Sequence, residues 1–124
     1  MADTGECGMN SRSYRCNNPG NLRFGKFAQN HGAVDADGYA KFPTAIEGTA
    51  AMLELLAGGM YRNLDLVRAF QRYAPSADNN NPEAYARFVS SRSGVPLDVM
   101  LADLDPFQVL KVLEAITVFE GWKA

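Results

Sequence analysis

The segment richest in groups that could touch a ligand is Arg15-Cys16-Asn17-Asn18-Pro19-Gly20-Asn21-Leu22-Arg23. Pro followed by Gly makes a tight turn, and amide side chains on such a turn can point outward. An amide donates and accepts at once, which is what sugar hydroxyls and N-acetyl groups require. Asn17, Asn18 and Asn21 are therefore candidate sugar-binding residues. The competing reading is that an Asn-rich turn is only a turn. Arg15 and Arg23 read as charged flanks without an assigned role.

Carboxylates supply the other chemistry. Glu120 has Ile116 four residues and Leu113 seven residues before it, so its side of the helix is largely apolar. It also falls at a helix C-terminus, where the macrodipole disfavours negative charge. Both effects favour the protonated acid, as a general acid at neutral pH requires. The plain alternative is a solvated glutamate near the chain end. Glycoside cleavage needs protonation of the leaving oxygen and stabilisation of positive charge at the sugar carbon, and hydrolysis normally uses a second carboxylate. Glu47 and Glu6 are the candidates for it. Glu47 is already accounted for by Thr44-Ala45-Ile46-Glu47, which reads as a capping box.

Other chemistries find little support. His31 is the sole histidine, so neither a metal site of ordinary spacing nor a cofactor is expected. Cys16 with His31 is formally a nucleophile and base, but no local signature accompanies them. Asp35-Ala36-Asp37-Gly38 has part of a calcium-loop pattern, yet Ala33 and Thr44 would occupy its first and last positions, and neither is a carboxylate. There is no phosphate-binding glycine loop and no dinucleotide fingerprint.

The elements that must position these groups come from length and periodicity. A chain of 124 residues suits one domain spanning 1–124, with 1–13 as loop, and its 47% hydrophobic content suffices for a core. No run of about 18 apolar residues occurs, so no membrane contact is expected. The net charge is −2, and without a basic stripe no nucleic acid is expected. The start, Met1 to Gly8, lacks the pattern of a signal peptide. The expectation is a protein made in the cytoplasm and delivered by a holin, a virion, a secretion machine or lysis. Cys7 and Cys16 could form a disulfide in an oxidising compartment or remain two thiols.

Residues 1–21 read as loop. Leu22 to Phe27 and Tyr39 to Phe42 suggest a small hairpin or extended loop. A helix from Thr44 to Gly58-Gly59 would bury Ile46, Ala50, Met52, Leu53, Leu56 and Ala57. A second, capped by Asn63, would turn Leu64, Val67 and Phe70 inward and end near Pro75. Asn81-Pro82-Glu83 opens a third, which buries Tyr85, Phe88 and Val89 and stops at Gly94. Asp105-Pro106 opens the last, apolar nearly all round and so expected to be enclosed by the others. The fold class is mainly α with a small β element, about four to five helices around an apolar C-terminal one.

The Asn-Asn-Pro-Gly-Asn-Leu-Arg turn resembles the hallmark of a family of small phage and prophage proteins described as virion structural or lysozyme-like. The order of later segments is similar too: Lys41-Phe42-Pro43-Thr44-Ala45-Ile46-Glu47-Gly48, Tyr73-Ala74-Pro75, and Asn79-Asn80-Asn81-Pro82-Glu83-Ala84-Tyr85. The resemblance covers roughly residues 14 to 122. From Asn21-Leu22 onward the order is also similar to bacterial N-acetylglucosaminidases of the lysozyme superfamily. Those proteins carry a glutamate-bearing helix before the turn, and here only a short loop precedes it. Val112 to Trp122 resembles that helix, with Glu120 in the place of its acid, as in a circular permutation. Permutation is tolerated where termini lie close together at the surface. The resemblance implies a lysozyme-like domain acting on the β-1,4 glycan strands of peptidoglycan at the bacterial cell wall or periplasm. Glu120 would be the acid, with Glu47 as the weaker second candidate, and Asn17, Asn18, Asn21, Tyr73 and Tyr85 would line the cleft. With one carboxylate, the outcome expected is an anhydro sugar, as in lytic transglycosylases. The alternative is a non-catalytic virion or cell-wall-binding protein whose partners include other virion proteins.

Overall fold

The computed structural model describes residues 12–74 and 80–121. Glu6, Cys7, Pro75, Asn79 and Trp122 lie outside the described residues. The chain groups into two compact units, and α3 (Ala45–Ala57) begins in the first and ends in the second.

The first unit holds residues 12–54, with Glu120 and Gly121. It opens on α1 (Arg12–Arg15), a single turn where the sequence suggested loop. Another single turn, α2 (Lys26–Gln29), follows. The hairpin consists of β1 (Val34–Ala36) and β2 (Tyr39–Lys41), antiparallel with Ala36 opposite Tyr39. Its turn is Asp37-Gly38, with φ of 58° and 91°. Positive φ at both central residues suits the right-handed twist of the strands, and Asp-Gly is a sequence signal for it. The expected strand at Leu22 to Phe27 is thus displaced, because the local Asp-Gly turn pairs β2 with Val34–Ala36 first. Residues 22–24 still run beside β2: the Ala40 N–H donates to the Leu22 carbonyl at 3.0 Å and the Phe24 N–H to the Gly38 carbonyl at 2.9 Å.

The Thr44 cap and the stop after Ala57 follow the sequence pattern. The buried side of α3 does not: Ala51, Met52 and Leu56 are enclosed, whereas Ile46 is 78% exposed and Ala50 and Leu53 are exposed as well. The inward face is set by Gly48, whose missing side chain admits the backbone of the Asn turn. That contact rotates Ile46 and Leu53 to the outside.

The second unit holds residues 55–119. Its helices are α4 (Leu66–Tyr73), α5 (Pro82–Ser93) and α6 (Pro106–Phe119). Each starts on a side chain that accepts an orphan N–H. For α4 this is Asp65, bonded to Arg68 N at 2.9 Å, two residues beyond the expected Asn63. For α5 it is Asn81, bonded to Ala84 N. For α6 it is Asp105, which accepts from Gln108 N at 2.8 Å while the Gln108 side chain accepts from Asp105 N at 3.0 Å. Gly94 ends α5 in the left-handed conformation. The loop after α5 returns to the start of α4: Leu101 N–H donates to Leu64 O at 2.9 Å and Ala102 N–H to Arg62 O at 2.8 Å.

Within this unit α5 packs against both α4 and α6. The expectation that α6 is enclosed is therefore corrected. Only Val112, Leu113, Ala115 and Ile116 are buried on it, and Phe107 and Leu110 are exposed. The central element is α5, because Tyr85 stacks on Phe70 of α4 at 4.4 Å and on Phe119 of α6 at 3.9 Å.

Candidate functional site

The Asn turn is the best-defined polar construction in the first unit. The Asn21 N–H donates to the Asn18 carbonyl at 2.9 Å and closes the turn around Pro19-Gly20. Asn17 and Asn21 sit at φ of 54° and 51°. That left-handed region is costly for most residues and tolerated by asparagine, whose short amide bonds locally. The amides are then used inside the fold. Asn17 Nδ2 donates to the carbonyls of Phe42 at 3.0 Å and Pro43 at 3.1 Å. Asn18 is fully buried. Its Nδ2 donates to Leu22 O at 2.9 Å and Ala40 O at 2.8 Å, and its Oδ1 accepts from Leu22 N at 2.8 Å.

This corrects the outward-pointing picture. Asn18 bonds the turn to the hairpin and cannot reach a sugar. Asn17 joins the turn to the Phe42-Pro43 segment. The physical reason is that buried carbonyls at a bent chain crossing demand donors, and the nearest side-chain donors are these amides. Asn21 differs: its Oδ1 is buried without a hydrogen-bond partner.

The turn also explains Gly48. A Cβ there would lie 2.0 Å from the Asn17 carbonyl oxygen and 3.0 Å from Pro19 Cδ. The segments 17–21 and 42–48, which the resemblance relates only by order, are thus physically joined.

The acids separate by environment. The Thr44 hydroxyl donates to Glu47 Oε1 and accepts from the Ile46 N–H at 3.2 Å. That hydroxyl, followed by backbone N–H groups, holds the Glu47 carboxyl below its usual range. Glu47 is thus ionised at neutral pH, with one carboxylate oxygen held by its own helix cap. Glu120 follows the last residue of α6, is half-buried, and belongs to the same compact unit as the Asn turn. His31 Nε2–H donates to Glu54 Oε1 at 2.5 Å. Cys16 is buried and disulfide-bonded, so a Cys16–His31 nucleophile is ruled out in this state. Among the described residues no group of three His, Cys, Asp or Glu gathers as metal ligands.

Tyr73 and Tyr85 belong to the second unit, their rings 6.1 Å apart and edge to face. Tyr85 is only 2% exposed. The structure therefore makes it the core aromatic that its place on the buried side of the helix suggests and corrects the cleft role, since it is held between Phe70 and Phe119 because α5 lies between two helices. Tyr73 is half-buried and also meets Tyr61 and Phe70.

Periodicity gave no sign of the role of Tyr39. The guanidinium carbon of Arg12 lies 4.0 Å from the centroid of its ring, and that of Arg23 lies 5.0 Å from it. An aromatic at the start of a strand with arginines on both preceding segments is the only sequence trace of this arrangement. No helix among the described residues is long and apolar enough to cross a membrane. Comparison with protein-family models, curated proteins and solved structures finds no match.

Proposed function

We propose that this chain is a lysozyme-like protein that cleaves the β-1,4 glycan strand of peptidoglycan through one carboxylate, Glu120. The observation that carries the reading is the grouping of Glu120 with the Asn turn in one compact unit, while Glu47 is tied into its own helix cap. A permuted catalytic helix would require the acid to share a unit with the turn that the superfamily places after it, and this grouping supports the reading. The joining of segments 17–21 and 42–48 adds support, since a resemblance in order becomes a shared construction.

With one acid, the chemistry is intramolecular. Glu120 protonates the glycosidic oxygen and the bond from that oxygen to the sugar carbon breaks. The same sugar's primary hydroxyl attacks that carbon and returns its proton to the Glu120 carboxylate. The product is an anhydro end, and no water enters. The site of action would be the bacterial wall or periplasm.

The test is muropeptide release from purified peptidoglycan. Wild type is expected to give soluble fragments with anhydro ends, and Glu120→Gln to be slower by about 10²–10⁴-fold. Equal rates in both would overturn the role of Glu120.

A second reading is favoured by separate observations. Asn18 and Tyr85 are enclosed, and Ile46, Leu53, Phe107 and Leu110 are exposed apolar residues on α3 and α6. Those features suit a non-catalytic virion or wall-binding protein that presents apolar surface to other virion proteins. Binding to sacculi without fragment release from wild type would select it.

A further inference from the structure

The exposed positions Phe107, Leu110, Lys111, Glu114 and Val118 fall on one side of α6. At 3.6 residues per turn they lie within about 100° of one another. Three of them are apolar, and Phe107 and Leu110 are 68% and 63% exposed. An apolar stripe of that width on a helix normally faces another element, yet this one faces solvent.

The two charges on the stripe decide what fits it. Lys111 Nζ lies 5.5 Å from the centroid of the Phe107 ring. Glu114 is already gripped by Arg92 and also feels the Lys111 charge, but a carboxylate has about four acceptor positions and keeps room for a further donor. Lys111 and Glu114 sit symmetrically about the middle of the stripe, which falls between Val112 and Leu113. A second α6, laid antiparallel across the first about a two-fold axis at that point, brings each Lys111 opposite Glu114 of the copy. The same axis brings each Phe107 opposite Val118 of the copy, so a large side chain meets a small one at both ends. A parallel copy would set Lys111 against Lys111 and Glu114 against Glu114, which repel.

We propose that two copies of this chain associate through α6, antiparallel and about a two-fold axis. The apolar side chains supply the attraction. The charges supply the register, since solvent-edged charge pairs select orientation more than they add affinity. The stripe is about 16 Å long, and one helix face buries well under the roughly 800 Å² per partner of a stable interface. The dimer is therefore weak and concentration-dependent. It rests on α6 alone and stands apart from the activity proposed above.

The experiment is analytical ultracentrifugation of the full chain from about 10 μM to about 1 mM. The average mass is expected to rise toward that of two chains. A single-chain mass throughout would overturn the contact and leave the stripe to a different protein. Phe107→Ala, at an exposed position that folding hardly uses, should weaken association roughly tenfold. Association that survives this change and is lost in Ile46→Gln would place the contact on α3 and overturn the proposal. Lys111→Gln should associate less than wild type, whereas tighter association would mean that like charges face each other and would overturn the antiparallel register. Lys111→Glu and Glu114→Lys should each associate poorly alone and better when mixed, because position 111 of one then meets the opposite charge at position 114 of the other. No gain on mixing would overturn the charge pairing. Circular dichroism melts of each variant separate a lost contact from a lost fold.

Discussion

The two units are held by different means. In residues 12–54 the backbone bends sharply, and side-chain amides supply donors to carbonyls at the crossing: Asn17 to Phe42 and Pro43, Asn18 to Ala40 and, beside the Ala40 N–H, to Leu22. In residues 55–119 the carbonyls are satisfied within helices, and stability comes from stacked rings and aliphatic packing around α5. The first design depends on a few directional bonds and one close approach. The second depends on apolar volume spread over many contacts. A fold of the first kind tolerates almost no change at its crossing points. A fold of the second kind loses stability roughly with the volume removed.

The most damaging test of that contrast is Gly48→Ala. The added methyl would need the space of the Asn17 carbonyl, 2.0 Å away. Backbone cannot step aside as a flexible side chain would, so the expected loss is about 4 kcal/mol or more. Chemical denaturation measures it, and hydrogen exchange at the Leu22 and Ala40 amides locates it. A loss under about 1 kcal/mol, the range of an ordinary helix substitution, would show that the crossing is looser than drawn.

Next comes Phe70→Ala in the second unit. Phe70 is 1% exposed and touches both Tyr73 and Tyr85. Removing its ring should cost about 3–5 kcal/mol, and Phe70→Leu clearly less, since the cost follows the cavity left behind. Equal losses for both variants would mean that ring geometry rather than volume governs this core.

Asn18→Ala ranks third, at about 3 kcal/mol. It strands the Ala40 carbonyl and the Leu22 N–H in a site without solvent and takes one of two donors from the Leu22 carbonyl, each a penalty of its own. Asn17→Ala should cost less, because one of its two bonds is exposed and water can replace the amide there. Equal effects at the two positions would undo the claim that burial makes the Asn18 bonds matter more.

The same contrast decides what could be read from the sequence. Helices announce themselves by caps and stops. Asn81-Pro82, Gly94 and Asp105-Pro106 all function where their residue types suggest. Even the error at α4 was small, since Asp65 competes with Asn63 for the same task and wins by being adjacent to the first helical residue. Which face turns inward was harder. Ile46 and Leu53 look like core residues by type, but a glycine contact with a distant turn set the rotation of α3. The apolar run on α6 likewise suggested an enclosed helix, because periodicity counts apolar residues and not the neighbours available to cover them. At the candidate site, the asparagines were correctly singled out as unusual. Their targets were not legible, since a side chain that bonds 22 to 26 residues away leaves no periodic trace. The pairing of Arg12 and Arg23 through Tyr39 was hidden for the same reason.

The smallest expected effect lies on the surface of the second unit. Arg92 grips Glu114 with three hydrogen bonds, the shortest 2.9 Å. The Arg92 side chain, through those bonds first, holds the Glu114 carboxyl below the ordinary 4.5. Its folded value is therefore lower than its unfolded one. The stability it contributes is fully present above the unfolded value and is lost as pH falls through the folded value. Both side chains are about half exposed, so solvent screening limits the contribution to roughly 0.5 kcal/mol. Glu114→Gln should melt slightly below wild type at neutral pH, and the two curves should converge well below pH 4.5. Raising the salt to about 1 M should close the gap at neutral pH as well. Glu47→Gln probes the first unit in the same direction, since its carboxyl is also lowered, there by the Thr44 hydroxyl. The Glu47 bond lies within one helix turn and the Glu114 bond joins two helices. If each unit is held as described, both acid limbs stay shallow beside the losses at Gly48 and Phe70. A steep acid transition that either Gln variant removes would instead place an ionic contact at the centre of that unit's stability.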